Sequence, residues 1–215
     1  MSTALILFST VAVAHFLALL SPGPDFVLVV KSAIRNDRSK AIGVAAGIST
    51  ANALYIALCL IGVGTLLASS VPLMIFLKII GGLFLMFLAI QALRAKRSAY
   101  AELSVENDQT QYGNASFIKE FMTGFMSGIL NPKNLLFYLS LFTVVLTNDV
   151  GLLFKIALGV WMTLVVFLWD AAIIFMLSAN KARSRFAKAA YYIDKLTGAI
   201  LGIVGFTIVK SALTR

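Results

Sequence analysis

Charged side chains within long apolar runs are the first candidates for chemistry in this chain. Asp25 follows the cluster Ser-Pro-Gly-Pro, Lys133 lies in Asn-Pro-Lys-Asn, and Asp170 lies in LVVFLWDAAIIFML. If these runs cross a bilayer, each charge is costly at that depth and is usually paired or functional. We expect Asp25 and Lys133 to face one central cavity and to pair alternately with each other and with a charged solute. The alternative is a permanent structural ion pair.

Clusters of helix-breaking residues accompany two of these charges. Proline lacks an N–H and clashes with the preceding turn, and glycine permits unusual torsions. Backbone groups freed in this way can bind a ligand, because the ends of half-helices offer partial charges to a zwitterion. The matched pair of breaks favours a binding site over two simple proline kinks. The first cluster comprises Ser21, Pro22, Gly23 and Pro24, and the second comprises Pro132 with the binding candidates Asn131 and Asn134.

Other polar and aromatic residues in apolar runs leave more than one role open. Asp170 either carries a proton or hydrogen-bonds a neighbouring helix. Asn52 either lines the cavity or bridges helices. His15, the only histidine, is interpreted as a packing residue. Cavity lining also competes with helix bridging or interface anchoring for Ser49, Thr50, Trp161 and Trp169.

The composition indicates that lipid is the solvent for this chain. Of 215 residues, 60% are hydrophobic and 13% are charged, and the mean hydropathy is +0.94. A soluble domain of this size cannot bury so much apolar surface. The net charge of +9 is concentrated in short connections between apolar runs, so we expect no nucleic-acid binding. The chain has no phosphate-binding GxxxxGK[ST] loop, no metal-ligand spacing and no second histidine for a triad, so we do not expect an enzyme.

The apolar runs predict an all-α integral membrane protein with six transmembrane helices. Each run exceeds the roughly 20 residues that a helix needs to cross the hydrocarbon core. Only helices satisfy their own backbone within such a segment. The predicted segments are 4–34, 41–68, 72–94, 117–147, 152–179 and 190–211.

The distribution of basic residues predicts the orientation of these helices. Lysine and arginine follow the first, third and fifth segments, whereas the connections 69–71 and 148–151 contain neither. Because basic connections stay in the cytoplasm, the odd-numbered connections are expected inside. Both termini are then expected outside.

The polar stretch 98–116 is predicted to be a cytoplasmic linker between two halves, 1–97 and 117–215. Each half contains three predicted spans. Because three is odd, the two halves enter the membrane from opposite sides and form inverted repeats. The alignment of Pro24 with Pro132 makes Asp25 and Lys133 equivalent positions of opposite charge. The sequence therefore predicts two inverted three-helix repeats whose first helices, 1 and 4, are broken at proline motifs.

Two long motifs resemble the LysE/RhtB family of amino-acid exporters. They are HFLALLSPGPDFVLVVKSAIRNDRSKAIGVAAGIS and GFMSGILNPKNLLFYLSLF, and the likeness covers the whole chain. The aspartate after the second proline resembles the threonine-efflux branch. The resemblance implies export of a threonine- or homoserine-like or other neutral amino acid across the bacterial inner membrane. It also implies a proton-motive force in place of a cofactor, proton antiport, and a homodimer.

A zwitterionic amino acid needs acceptors for its ammonium and donors for its carboxylate. Asp25 with free carbonyls can supply the acceptors, and Lys133 with a half-helix N-terminus can supply the donors. Alternating access would rock one repeat against the other, and Asp25 or Asp170 would carry the proton. The alternative functions are a metal-cation exporter, which needs clustered carboxylates or histidines, and a non-transporting membrane scaffold, which needs no charges at depth.

Overall fold

The computed structural model of the protein describes residues 3–21, 23–63, 71–96, 116–145, 151–177 and 180–214, and all regular structure in these ranges is helical. The all-α prediction is therefore confirmed for this part of the chain. The linker predicted at 98–116 lies outside it, except for Ser116, and so does Pro22. The helices are α1 (Thr3–Leu20), α2 (Pro24–Arg35), α3 (Arg38–Leu58, continued by a π-helical turn at Cys59–Val63), α4 (Val71–Arg94), α5 (Phe117–Leu130), α6 (Pro132–Val145), α7 (Leu152–Leu177) and α8 (Asn180–Leu213).

The first and fourth predicted segments are each divided into two helices. The axes of α1 and α2 are bent by 56° across the first break. Pro24 occupies the first turn of α2, where the missing proline N–H has no helical partner to lose. The second break lies at Asn131, whose extended backbone, with φ of −80° and ψ of 105°, ends α5 before α6 begins.

Gly23 does not contribute the unusual torsion that the sequence suggested. Its φ of −115° and ψ of −172° are extended values that any residue adopts. Its small size is what the structure uses, because a Cβ atom at this position would lie 3.4 Å from the Lys133 ammonium nitrogen.

Four helices in the described ranges are long and apolar enough to cross a membrane, and the bent pair α1–α2 counts as a fifth. These four lie in α3, α4, α7 and α8. The fourth predicted span is divided between α5 and α6, which have 14 residues each and are individually too short. The helix α8 begins at Asn180, ten residues before the predicted start at 190, because the basic stretch there continues as helix.

Glycines bring α3 and α5 into backbone contact. A Cβ atom at Gly47 would lie 2.1 Å from the Phe121 carbonyl oxygen, and one at Gly43 would lie 2.6 Å from that of Phe117. Both partners advance by four residues, so the two helices run parallel. No larger residue fits such a contact, which is typical of small-residue helix pairs in membranes.

A second glycine contact joins α4 to α8. A Cβ atom at Gly82 would lie 2.8 Å from the Gly205 carbonyl oxygen, and one at Gly205 would lie 2.6 Å from that of Gly82. The Gly198 position faces Ala89 O in the same way, so this pair is antiparallel. The contact is reciprocal, and each helix presents a glycine to the backbone of the other.

The buried apolar side chains form two clusters. One cluster contains residues of α1, the end of α3, α4, α6, α7 and α8, including Phe142 and Leu201. The other contains residues of α2, α3 and α7, including Val29 and Ile48. The first break therefore lies between a helix of one cluster, α1, and a helix of the other, α2.

Candidate functional site

The two helix breaks border one small cavity of about 60 Å³. A space of this size has room for a few water molecules. The cavity is lined by residues of α1, α2, α3, α6 and α7 and of both breaks. The predicted binding residues all lie in its wall: Asp25, Asn52, Asn131, Lys133, Asn134 and Asp170. Ser21 and Gly23 also line it, whereas Pro24 is exposed and Pro132 starts α6.

The Asp25 carboxylate is held by donors from the second break. Its Oδ2 accepts hydrogen bonds from the side-chain amides of Asn131, at 2.9 Å, and Asn134, at 2.7 Å. Its Oδ1 accepts from the Ser127 hydroxyl at 2.6 Å. A carboxylate has about four acceptor directions, so one stays available after these three bonds. Asp25 also lies in the first turn of α2, where the helix dipole favours a negative charge.

The Lys133 ammonium lies at the first break. Its Nζ donates to the carbonyl of Ser21 at 3.0 Å and to that of Ala18 at 3.3 Å. These carbonyls belong to the C-terminal end of α1, where helix carbonyls lack helical donors and the dipole favours a cation. The Lys133 backbone N–H donates to Asn131 Oδ1 at 3.0 Å, so Asn131 also caps the start of α6.

The charged side chain beside each break therefore bonds to groups of the other break. The carboxylate from the first broken segment contacts amides of the second, and the ammonium from the second contacts carbonyls of the first. These reciprocal polar bonds join the two breaks in the cavity wall. The same groups, once parted, can bind an ammonium and a carboxylate.

Asp170 and Asn52 complete the polar wall from α7 and α3. Asp170 is 6% exposed, and its carboxyl receives no hydrogen bond from any residue that the structure describes. Asn52 is 4% exposed, and its amide donates to the Ile48 carbonyl of its own helix at 3.0 Å. Its carbonyl oxygen is left as an acceptor.

The remaining sequence candidates lie elsewhere, with one exception. Ser49 and Thr50 donate to the Ala46 carbonyl of their own helix and are absent from the cavity wall. The two tryptophans pack against Phe8, His15 and Phe16 and are likewise absent from it. His15, which we interpreted as a packing residue, does line the cavity.

Sequence reasoning missed Ser127. It lies four residues before Asn131, so the two side chains share one face of the chain. Because Asn131 is a candidate binding residue, this four-residue spacing also points to Ser127. In the ranges that the structure describes, no three side chains of histidine, cysteine, aspartate or glutamate form a group that could hold a metal ion.

The chain is similar to known proteins along nearly its whole length. The family model described as LysE type translocator matches residues 16–212. The threonine efflux protein of Salmonella typhi is 27% identical over 209 residues, which cover 96% of this chain and 99% of that protein. The threonine efflux protein of Escherichia coli K12 is 26% identical over 207 residues, with 96% and 99% covered.

A leucine efflux protein is also similar along most of its length. The protein from Klebsiella pneumoniae is 24% identical over 200 residues, which cover 92% of this chain and 90% of that protein. No solved structure matches the chain.

Proposed function

The chain belongs to the LysE family of translocators, and we propose that it exports a neutral amino acid through the cavity between its two helix breaks. It is a multi-pass membrane transporter of the bacterial inner membrane and not an enzyme. One observation carries the proposal: Asp25 of the first break accepts from an amide of the second break, and Lys133 of the second break donates to a carbonyl of the first. This arrangement places one carboxylate and one ammonium, each already matched to a complementary surface, in the wall of a single cavity.

The substrate competes with the internal contacts of the cavity. Its ammonium takes the acceptor direction left on Asp25 and the carbonyls that now accept from Lys133. The substrate carboxylate then accepts hydrogen bonds from the Lys133 ammonium, released from those carbonyls, and from the side-chain amide of Asn134. Because the cavity of about 60 Å³ is filled by a few waters, binding requires the two breaks to separate. Binding and opening are therefore coupled.

A threonine- or homoserine-like side chain suits the remaining wall. Asn52 offers an amide oxygen, and Tyr138, also in the wall, offers a phenol. Both can bond a hydroxyl group. Relatives named threonine efflux proteins, similar along nearly their whole length, support this choice.

The two halves 1–97 and 117–215 are proposed to be inverted repeats of three spans each, with both termini outside. Two contacts support this topology. The parallel pair α3 and α5 would both enter from the basic, cytoplasmic side, near Arg38 and Lys119. The antiparallel pair α4 and α8 would be equivalent helices, and their glycine contact is reciprocal.

Alternating access in this arrangement uses the breaks as hinges. The helices α3 and α5 belong to different halves, yet their backbones touch. We therefore expect them to move as one unit, while α2 and α6 change their angle to α1 and α5. Proton antiport would drive the cycle, with Asp170 as a proton-binding group in the cavity wall. The homodimer stays a prediction of the resemblance.

The purified protein in liposomes tests this function. Vesicles loaded with one unlabelled amino acid at a time are diluted into trace radiolabelled amino acid, with and without a pH gradient. We expect counterflow for threonine or a similar neutral amino acid, and faster net transport with the gradient. Absence of counterflow for every amino acid would overturn the function. Counterflow with no response of net transport to the gradient would overturn the proton coupling alone.

A further inference from the structure

His15 lies at the boundary between two cavities. Its ring lines the central cavity between the helix breaks. The preceding residue, Ala14, lines a second cavity of about 290 Å³ between α1, α4, α6 and α8. On α6 the same boundary falls between Tyr138, in the wall of the central cavity, and Leu141, in the wall of the second. In the proposed topology α1 starts outside, so the second cavity lies on the outer side of His15.

One ring nitrogen of His15 has a hydrogen-bond partner, and the other has none among the described residues. Its Nε2 lies 3.2 Å from the Met162 carbonyl oxygen of α7. Because a carbonyl only accepts, Nε2 carries the proton and Nδ1 presents a lone pair. The side chain is 1% exposed, and Nδ1 has no hydrogen-bond partner among the residues that the structure describes.

Aromatic rings enclose the rest of the imidazole. The ring centroids of Phe137, Tyr138 and Trp161 lie 6.0, 6.0 and 6.1 Å from that of His15. A protonated ring would place an Nδ1–H donor in this enclosure without an acceptor, which is costly for a charged group. The closed arrangement therefore holds the neutral ring.

Charged side chains line the cavities on both sides of this enclosure: Asp170 lines the central cavity and Lys78 lines the second. Asp170 follows Met162 by eight residues on α7, about 12 Å along the helix axis, and its carboxyl has no donor in the described part of the chain. A movement of α1 relative to α7 would open the aromatic enclosure and expose Nδ1 to water in the cavity that Asp170 also lines. Besides His15, the ionisable side chains that line the two cavities are Asp25 on α2, Lys78 on α4, Lys133 and Tyr138 on α6, and Asp170 on α7.

We propose that His15 is the residue that carries the driving proton between the outer cavity and the central cavity. Nδ1 binds one proton from the side of the second cavity when α1 moves, and it releases that proton to the side of Asp170 when the aromatic enclosure re-forms. The ring returns to the neutral form, so one proton enters for each cycle. This inference rests on the proposed function and adds a named carrier to it.

Transport in liposomes tests the inference with His15→Gln. A glutamine amide can donate to the Met162 carbonyl, but it does not bind an additional proton near neutral pH. We expect the ratio of accumulation driven by a pH gradient to gradient-free counterflow to fall more than about tenfold relative to wild type. Thr50→Val, at an exposed position on α3 outside both cavities, is the matched control. Gradient-driven accumulation by His15→Gln at the wild-type level would overturn the inference.

A direct measurement covers the case in which that variant fails to fold. His15 is the only histidine of the chain, so wild-type protein labelled with ¹⁵N-histidine gives a single pair of ring signals by NMR. We expect the neutral Nε2–H form without substrate and the cation when substrate is added at about pH 5 to 6. A neutral ring with and without substrate across about pH 5 to 8 would overturn the inference. Wild-type counterflow in parallel separates this failure from failure of the proposed function.

Discussion

The side-chain amide of Asn134 lies 2.7 Å from the carboxylate of Asp25, although 109 positions separate them in the chain. This bond joins the first turn of α2 to the first turn of α6. Two half-helices that each follow a break therefore meet at their N-terminal ends. The positive ends of both dipoles converge on one carboxylate, which explains why an acidic residue is stable at this depth.

Replacing Asp25 by asparagine tests the role of that carboxylate. The variant loses the charge and sets an amide against the donors Asn131 and Asn134, so we expect counterflow to fall more than about tenfold. The protein should still fold, because the apolar clusters are unchanged. Asp37→Asn, at an exposed position between α2 and α3, should transport like wild type. Wild-type counterflow by Asp25→Asn would contradict the proposed site.

Lys133→Met removes the ammonium from the carbonyl end of α1. We expect loss of counterflow and a destabilisation of about 0.3–1 kcal/mol from the uncapped helix end. Lys133→Arg should not restore transport, because a planar guanidinium does not replace a compact ammonium. Lys210→Met, at an exposed position near the end of α8, is the control for charge removal. Counterflow and thermal unfolding in detergent measure the two effects.

Ser127→Ala removes one of the three donors to Asp25. A hydrogen bond to a charged group contributes about 1.5–3 kcal/mol, so we expect transport to weaken by about tenfold or more without complete loss. Thr123→Ala is matched to it, because Thr123 lies one turn earlier on α5, is exposed, and donates only to its own helix at Lys119 O. Equal counterflow by the two variants would remove Ser127 from the site.

Gly47→Ala tests the contact between α3 and α5. The added Cβ would lie 2.1 Å from a backbone oxygen of α5, so the helices must separate, at a cost of about 1–3 kcal/mol. Gly202→Ala is the control within a helix, because its Cβ would meet Ala89 at 3.4 Å, an ordinary contact. We expect a lower unfolding temperature for Gly47→Ala only. Equal unfolding temperatures would show that the α3–α5 contact is looser than the structure has it.

The sequence by itself determined the class of this protein, its helical composition and the positions of its two breaks. These features are local, because hydropathy, proline and backbone satisfaction act over one segment at a time. Asp25 and Lys133 could be chosen in the same way, as charges beside breaks. The start of α8 at Asn180 was missed because polar sequence does not by itself end a helix.

Only the tertiary structure decided which groups those charges contact. Ser127 and Asp25 are 102 positions apart, and no local pattern says that α5 and α2 turn these faces towards each other. His15 looked like a packing residue because its sequence neighbours are apolar, whereas its position in a cavity wall depends on α6 and α7. The rotation of each helix about its axis is set by packing, above all where glycines let α3 and α5 touch. Because of that rotation, the polar side chains beside the two breaks face each other and form one site.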